Sequence, residues 1–69
     1  MFTELTPEKI GFNLKRLIAE SKYRTQESFA EAVGADVRTV RRWVHKLDSI
    51  STVTYVAEIL EVDVGALLC

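Results

Sequence analysis

The chain has 69 residues, of which 48% are hydrophobic and 28% charged, and its formal net charge of −1 gives a sequence pI of about 5.7. This length predicts one domain over residues 1–69, and the acidic balance counts against a general nucleic-acid binder, which is usually basic. The sequence has neither a run of ~18 apolar residues nor a basic-then-apolar leader, so we expect a cytoplasmic protein that does not enter a membrane.

Catalytic and metal-binding patterns are missing from the sequence. The single cysteine, Cys69, cannot form an internal disulfide, and the single histidine, His45, has no neighbours at metal-ligand spacing. There is no Ser/His/Asp set, no carboxylate pair with a histidine and no phosphate-binding loop. We therefore expect no enzymatic activity, no cofactor, no metal and no small-molecule ligand.

The first predicted helix begins at residues 6–8, which read Thr-Pro-Glu. They combine a capping residue, a proline at the first helical position and an acid in the first turn. We expect this helix to run to about Lys22. Gly11 inside it costs about 1 kcal/mol relative to alanine, which indicates close packing at that point. The apolar face of the helix comprises Ile10, Leu14, Leu17 and Ile18.

Residues 25–45 predict two short helices joined by a tight turn. Thr25 and Asp36 can each cap a helix, and Gly34 can take the left-handed conformation that ends the first one. Just before the first of these two helices, either Tyr23 or the aliphatic stem of Arg24 could fill a core position. Apolar residues at helical spacing form the two buried faces, which are Phe29, Ala30 and Val33 in the first helix and Val40, Trp43, Val44 and Leu47 in the second.

A fourth and a fifth helix follow. Either Ser49 or Ser51 can cap the fourth helix, which we expect to run to about Leu60, and Asp63 can cap the short last helix. The apolar residues of the fourth helix are Val53, Val56, Ile59 and Leu60. Those of the fifth helix, which face either the core or a partner, are Val64, Leu67 and Leu68. The aromatic residues Tyr23, Phe29, Trp43 and Tyr55 are more simply explained as core than as a stacking platform.

Positive charge is concentrated in one part of the chain. All nine lysines and arginines lie between Lys9 and Lys46, where four acids leave a net charge of +5, and the remaining residues carry six acids and no base. Arg38, Arg41 and Arg42 fall largely off the apolar face of the third helix. Such a face is often only solvated, and an ordinary helical hairpin would account for it. Arginine is nevertheless well suited to guanine edges and phosphates, so we favour a DNA-binding helix-turn-helix.

The order of these residues resembles a known family. Ile10-Gly11 opens the pattern, followed by Thr-Gln-Glu-Ser-Phe-Ala at residues 25–30, Gly34 and Thr39-Val40. Leu60, Val62, Leu67 and Leu68 close it. Residues from about 10 to 68 thus resemble the lambda-repressor-like, or Xre/Cro-type, helix-turn-helix proteins. The resemblance implies an all-α, five-helix lambda-repressor-like DNA-binding domain over residues 1–69, with the helix-turn-helix at about 25–45.

The chain departs from the family pattern at two places. Tyr23 and Arg24 stand where a glycine and a leucine-like residue are usual, and Lys46 stands where a glycine often follows the third helix. These departures affect how the chain enters the second helix and how it leaves the third. The resemblance therefore covers nearly the whole chain without including these two connections.

The resemblance implies sequence-specific binding to the major groove of double-stranded DNA by a small bacterial or phage transcriptional regulator, and we favour a repressor over an activator. Gln26 would bond a phosphate at the groove edge, and Val37 would touch a thymine methyl unless it packs in the core. Arg42 is the leading candidate for a base contact, whereas Arg41 would meet the DNA backbone. The DNA-contact residues carried over are Gln26, Val37, Arg38, Thr39, Arg41, Arg42, His45 and Lys46.

Two further possibilities concern partners. Family members bind palindromic sites as dimers with half-sites roughly 34 Å apart. We expect a weak homodimer, whose self-associating patch would comprise Ile50, Val64, Leu67 and Leu68 unless these residues only close the core. The alternative function is a protein-interaction module of the same fold, such as an antitoxin, antirepressor or adaptor subunit with weak or no DNA binding. The acidic pI and the departure at Tyr23-Arg24 favour this alternative.

Overall fold

The computed structural model describes residues 6–68, which form five α-helices and no strand. The helices are α1 (Pro7–Glu20), α2 (Gln26–Val33), α3 (Val37–His45), α4 (Ile50–Leu60) and α5 (Val64–Leu68). The predicted all-helical fold class is confirmed. Cys69 lies outside the described residues. No helix within residues 6–68 is both long enough and apolar enough to cross a membrane.

Four helices begin at a residue whose side-chain oxygen accepts a hydrogen bond from a backbone N–H of the first turn. These residues are Thr6, Thr25, Asp36 and Ser49. Such a bond satisfies one of the donors that the helix itself leaves unpaired, which is why a helix starts at each of these positions. The caps predicted at Thr6, Thr25 and Asp36 are confirmed, and Ser49 rather than Ser51 caps α4. At α5 the backbone carbonyl of Asp63 accepts the N–H of Ala66 at 2.9 Å, and the cap predicted for its side chain stays a prediction.

Two of the predicted helix ends require correction. α1 ends at Glu20 instead of running to Lys22, because the backbone N–H and the hydroxyl of Ser21 both donate to the carbonyl of Ile18, at 3.1 and 2.7 Å. The helical spacing extends the third helix to Leu47, but α3 ends at His45, so Lys46 and Leu47 lie in the following loop. Leu47 is nevertheless buried, and its N–H donates to the carbonyl of Pro7 at 2.9 Å.

One hydrophobic core occupies the space between the helices. Its buried apolar members are Leu14, Ile18, Phe29, Ala30, Val33, Val40, Leu47, Val53, Val56, Ala57, Leu60 and Leu67. Among them, Ala57 was not predicted. The buried polar residue Asn13 was also missed; its side-chain amide donates to the carbonyl of Leu67 at 2.7 Å and links α1 to α5. Leu67 is completely buried, so it closes the core and does not belong to a free patch.

Gly11 lies where α1 meets α3. A Cβ atom placed on Gly11 would be 2.6 Å from the carbonyl oxygen of Trp43 and 2.8 Å from that of Val44. Glycine is therefore required for this approach of the two backbones, as the sequence indicated. The contact holds α3 against α1, in addition to its packing against α2.

Tyr23, and not Arg24, fills the space before α2. Its ring packs edge-on against Phe29, with ring centroids 5.6 Å apart, and its hydroxyl lies 3.5 Å from the carbonyl oxygen of Ile59. Arg24 is exposed and takes a left-handed backbone conformation with φ of 67°. The prediction of Tyr55 as a core residue was wrong, since Tyr55 is 42% exposed and its hydroxyl donates to the carbonyl of Val33 at 3.0 Å.

Candidate functional site

The connection between α2 and α3 is three residues long. Gly34 has φ of 75°, and its N–H donates to the carbonyl of Glu31 at 3.2 Å. The N–H of Ala35 donates to the carbonyl of Ala30 at 3.0 Å. A Cβ atom on Gly34 would meet nothing within 4 Å, so the glycine is needed for its conformation and not for space. Asp36 then caps α3, which fixes the start of that helix relative to α2.

α3 has one buried and one charged side. Val40 is fully buried, and Trp43 and Val44 are half-buried against the core. The exposed side chains are Arg38, Arg41, Arg42 and His45. At ~100° per residue these four lie within an arc of about 100°, opposite the buried side. α3 therefore presents a single face of polar, mostly cationic groups to solvent, which we call the basic face.

The eight residues expected at a DNA contact divide into two groups. Five are exposed, namely Arg38, Arg41, Arg42, His45 and Lys46, and three are half-buried, namely Gln26, Val37 and Thr39. The structure brings the exposed helical members onto the basic face, with Lys46 directly after it. Val37 packs partly against the core and keeps part of its surface exposed.

Two arginines of the basic face have carboxylate partners. A guanidinium nitrogen of Arg38 lies 3.4 Å from a carboxylate oxygen of Asp36, and one of Arg41 lies 3.4 Å from a carboxylate oxygen of Glu27. Within residues 6–68 the guanidinium of Arg42 has no such partner. The basic face thus contains paired and unpaired cations at neighbouring positions.

Asp36 has two functions at the start of α3. It accepts the backbone N–H of Arg38 at 2.8 Å, and its other carboxylate oxygen faces the guanidinium of the same residue. The backbone hydrogen bond, and after it the guanidinium, lowers the pKa of the Asp36 carboxyl below its ordinary value, because both interactions favour the ionised form. Asp36 therefore stays negatively charged at the start of α3, next to the basic face.

A groove of about 410 Å³ lies beside the basic face, between the end of α1, the start of α2 and Arg41. Its lining includes three cations and one acid, namely Lys15, Arg24, Arg41 and Glu27, together with Ile18, Ala19, Thr25 and Gln26. Sequence reasoning left Lys15 out of the site, and the only signal for it was its position off the apolar face of the first helix, which is true of most surface residues. Arg24, whose guanidinium could also be expected to reach a phosphate, was not among the eight expected contacts.

Metal binding finds no support in the described part of the chain, where no three His, Cys, Asp or Glu side chains gather in a way that could hold an ion. No family model, curated protein or solved structure matches the chain. The resemblance to lambda-repressor-like proteins therefore stays a prediction, and the site is interpreted from its own geometry.

Proposed function

We propose that the protein binds double-stranded DNA sequence-specifically, as a small bacterial or phage transcriptional regulator of the lambda-repressor-like type. The observation that carries the proposal is the arrangement of α3, whose cationic side chains occupy one exposed arc while Val40 anchors the opposite side. An α-helix with its side chains is about 10–12 Å across, and the major groove, ~12 Å wide, admits a helix of that diameter. Such a function would place the protein with the DNA, in the cytoplasm.

In this proposal the residues of α3 have separate roles. Arg42, whose guanidinium has no carboxylate partner in the described chain, reads a base edge. Arg38 lies one turn earlier and reaches an adjacent base or phosphate. Val37 offers its exposed part to a thymine methyl, and Thr39 bonds a phosphate. Arginine suits both tasks because its planar guanidinium donates two parallel hydrogen bonds.

The groove on the protein surface beside the basic face would bind the phosphates of the DNA backbone. Gln26 and Arg41, both expected at a DNA contact, line the same groove, and Lys15 and Arg24 add two further cations to it. Contacts to phosphates position a protein on the duplex without reading sequence. His45, at the other end of α3, and Lys46 directly after it would contact the rim of the DNA major groove.

The first experiment is selection from a pool of random duplexes, carried out at low and at near-physiological salt. A sequence-specific regulator yields one motif that persists at the higher salt, and a palindromic motif gives the spacing of a dimer. The matched control is a variant with both Arg38→Ala and Arg42→Ala, which should select no motif. Binding by the natural protein that vanishes as salt rises, without any motif, would contradict the proposal, because polyelectrolyte attraction alone behaves in that way.

We also propose weak dimerisation that DNA reinforces. Ile50 is 71% exposed, and Val64 and Leu68 are partly buried. These three residues can therefore contact a second copy of the chain, whereas Leu67 belongs to the core. Sedimentation velocity with and without the selected duplex tests this. A monomer that binds a palindromic site one copy at a time, without interaction between copies, would contradict it.

A second candidate function is a protein-interaction module, and the exposed apolar side chains favour it. Phe12 is 60% exposed on α1 and Ile50 is 71% exposed at the start of α4, whereas the chain as a whole is acidic. Replacing Arg38 and Arg42 with alanine separates the two functions. Regulation in the cell is lost if DNA binding is the function, and it survives if the partner binds elsewhere on the surface.

A further inference from the structure

We propose that Asp36 and Glu27 are specificity-determining residues of the DNA-binding surface, acting as internal counter-ions that weaken binding to arbitrary DNA. The inference rests on the proposed function. Neither carboxylate is among the expected DNA contacts. Both are exposed, so neither belongs to the hydrophobic core.

Stability does not explain these ion pairs. The side chains of Arg38 and Asp36 are 84% and 53% exposed, and those of Arg41 and Glu27 are 56% and 67% exposed. Ion pairs in such surroundings contribute little to folding, because water and salt screen them and ordering two long side chains is unfavourable. The main effect of the pairs is therefore on the binding of a charged molecule to the basic face.

The pairs change the charge that DNA would meet. Arg38, Arg41, Arg42 and Lys46 bring four positive charges to the basic face and its edge, and the two carboxylates leave a net charge of +2. Phosphates are present on every duplex, and their attraction supplies most of the binding that does not depend on sequence. A phosphate must displace or approach a carboxylate to reach Arg38 or Arg41.

A base contact by Arg42 is not weakened in the same way, because in residues 6–68 no carboxylate pairs with its guanidinium. Phosphate attraction alone holds a complex with an arbitrary duplex, and it brings phosphates close to Asp36 and Glu27. In the selected complex the base contact of Arg42 draws α3 towards the base edges, so fewer phosphates lie beside the two carboxylates. The carboxylates thus weaken the complex with an arbitrary duplex more than the selected complex. Specificity is a difference between affinities, so a repulsive group against the wrong partner raises it as effectively as an attractive group for the right one.

The chain permits substitutions that remove each charge with little other change. Asp36→Asn keeps a side-chain oxygen that can cap α3, because asparagine and aspartate are nearly equal as caps. Glu27→Gln preserves the size and shape of the side chain. Glu58→Gln is the matched control, since Glu58 is exposed on α4, which packs against α5 and α2. Circular dichroism and thermal unfolding verify that each variant folds.

The measurement is fluorescence anisotropy of a random duplex and of the selected duplex across a series of salt concentrations. Asp36→Asn and Glu27→Gln should each tighten binding to the random duplex by about threefold or more at low salt. Each should steepen the slope of log K against log salt by up to about 0.9, the value for one additional phosphate contact. The ratio of selected to random affinity should fall in both variants and stay unchanged in Glu58→Gln.

Two results would overturn the inference. One is an unchanged affinity for the random duplex, and the other is an equal gain on both duplexes, which would leave the ratio intact. Either result leaves the proposed function standing, provided that the natural protein still prefers the selected duplex. If the natural protein binds no duplex more tightly than the variant with Arg38→Ala and Arg42→Ala, the proposed function fails, and the inference fails with it.

Discussion

The backbones of α1 and α3 touch at Gly11 and Trp43, where a Cβ atom on the glycine would lie 2.6 Å from the tryptophan carbonyl oxygen. Backbone atoms cannot turn aside as the end of a flexible side chain can. Gly11→Ala must therefore separate the two helices, and we expect it to lower the free energy of unfolding by about 1–3 kcal/mol despite the better helix propensity of alanine. Urea unfolding measures the change.

Gly65 provides the control for that substitution. It lies in α5, and a Cβ atom there would meet nothing within 4 Å. Gly65→Ala should be neutral or should stabilise the protein by up to about 1 kcal/mol, because alanine loses less conformational freedom on entering a helix. Equal stability of the two variants would show that the contact at Gly11 can relax without loss.

Arg24 provides a test in which stability and DNA binding change in opposite directions. Its φ of 67° suits glycine better than arginine, so Arg24→Gly should raise the free energy of unfolding by about 0.5–1 kcal/mol. The same change removes a cation from the groove and should reduce the salt slope of DNA binding by about one phosphate contact. Chemical unfolding and salt-dependent anisotropy give the two readouts.

Glu61 is the matched control for Arg24. It is the other non-glycine residue with positive φ in the described chain, at 60°, and it ends α4. Glu61→Gly should give a similar gain in stability with the salt slope unchanged. A DNA affinity that falls equally in both variants would contradict a role for Arg24 in the groove.

Arg42 and Arg41 should differ in the kind of binding that they support. If Arg42 reads a guanine with two hydrogen bonds, Arg42→Ala should cost about 1–3 kcal/mol on the selected site and relax the preference at one base pair. Arg41→Ala, next to it on α3, should weaken binding to all sequences uniformly. Repeating the duplex selection with both variants measures this, and an equal loss on every sequence for Arg42→Ala would make it a phosphate contact.

The stability of the protein at acidic pH should depend on Asp36. The pKa of its carboxyl is lower in the folded protein than the ordinary 3.8, so the folded state favours the ionised form. The resulting stabilisation is present above the ordinary pKa and is lost as the pH falls through the lower value of the folded protein. Unfolding followed between about pH 5 and pH 2 should show this loss, and Asp36→Asn should make the decline shallower; an identical pH profile for the two proteins would contradict it.

Local features of the sequence predicted much of the fold. The caps at Thr25 and Asp36 depend only on a short polar side chain placed before an apolar run, and Gly34 and Gly11 were informative because few other residues suit their surroundings. Helix count, the buried faces and the close contact of α1 could therefore be predicted without a structure.

Features that depend on distant parts of the chain could not be predicted in the same way. Leu47 follows the helical spacing of α3 yet lies in the next loop, because its N–H bonds to Pro7 at the start of α1. Tyr55 is partly exposed because its hydroxyl bonds to the end of α2. The groove between Lys15 and Arg24 exists only once α1 and α2 are packed, and the pairing of Glu27 with Arg41 also requires that two helices meet.

The bond from Leu47 to Pro7 also has a bearing on the thermodynamics of binding. α3 is held at its beginning by the turn from α2, near its last turn by the contact with Gly11, and just beyond its end by this bond. Its backbone is therefore ordered before any ligand arrives, and the entropy lost on binding falls mainly on the exposed side chains of the basic face. Substitutions that loosen either attachment to α1 should weaken binding without touching a single contact residue.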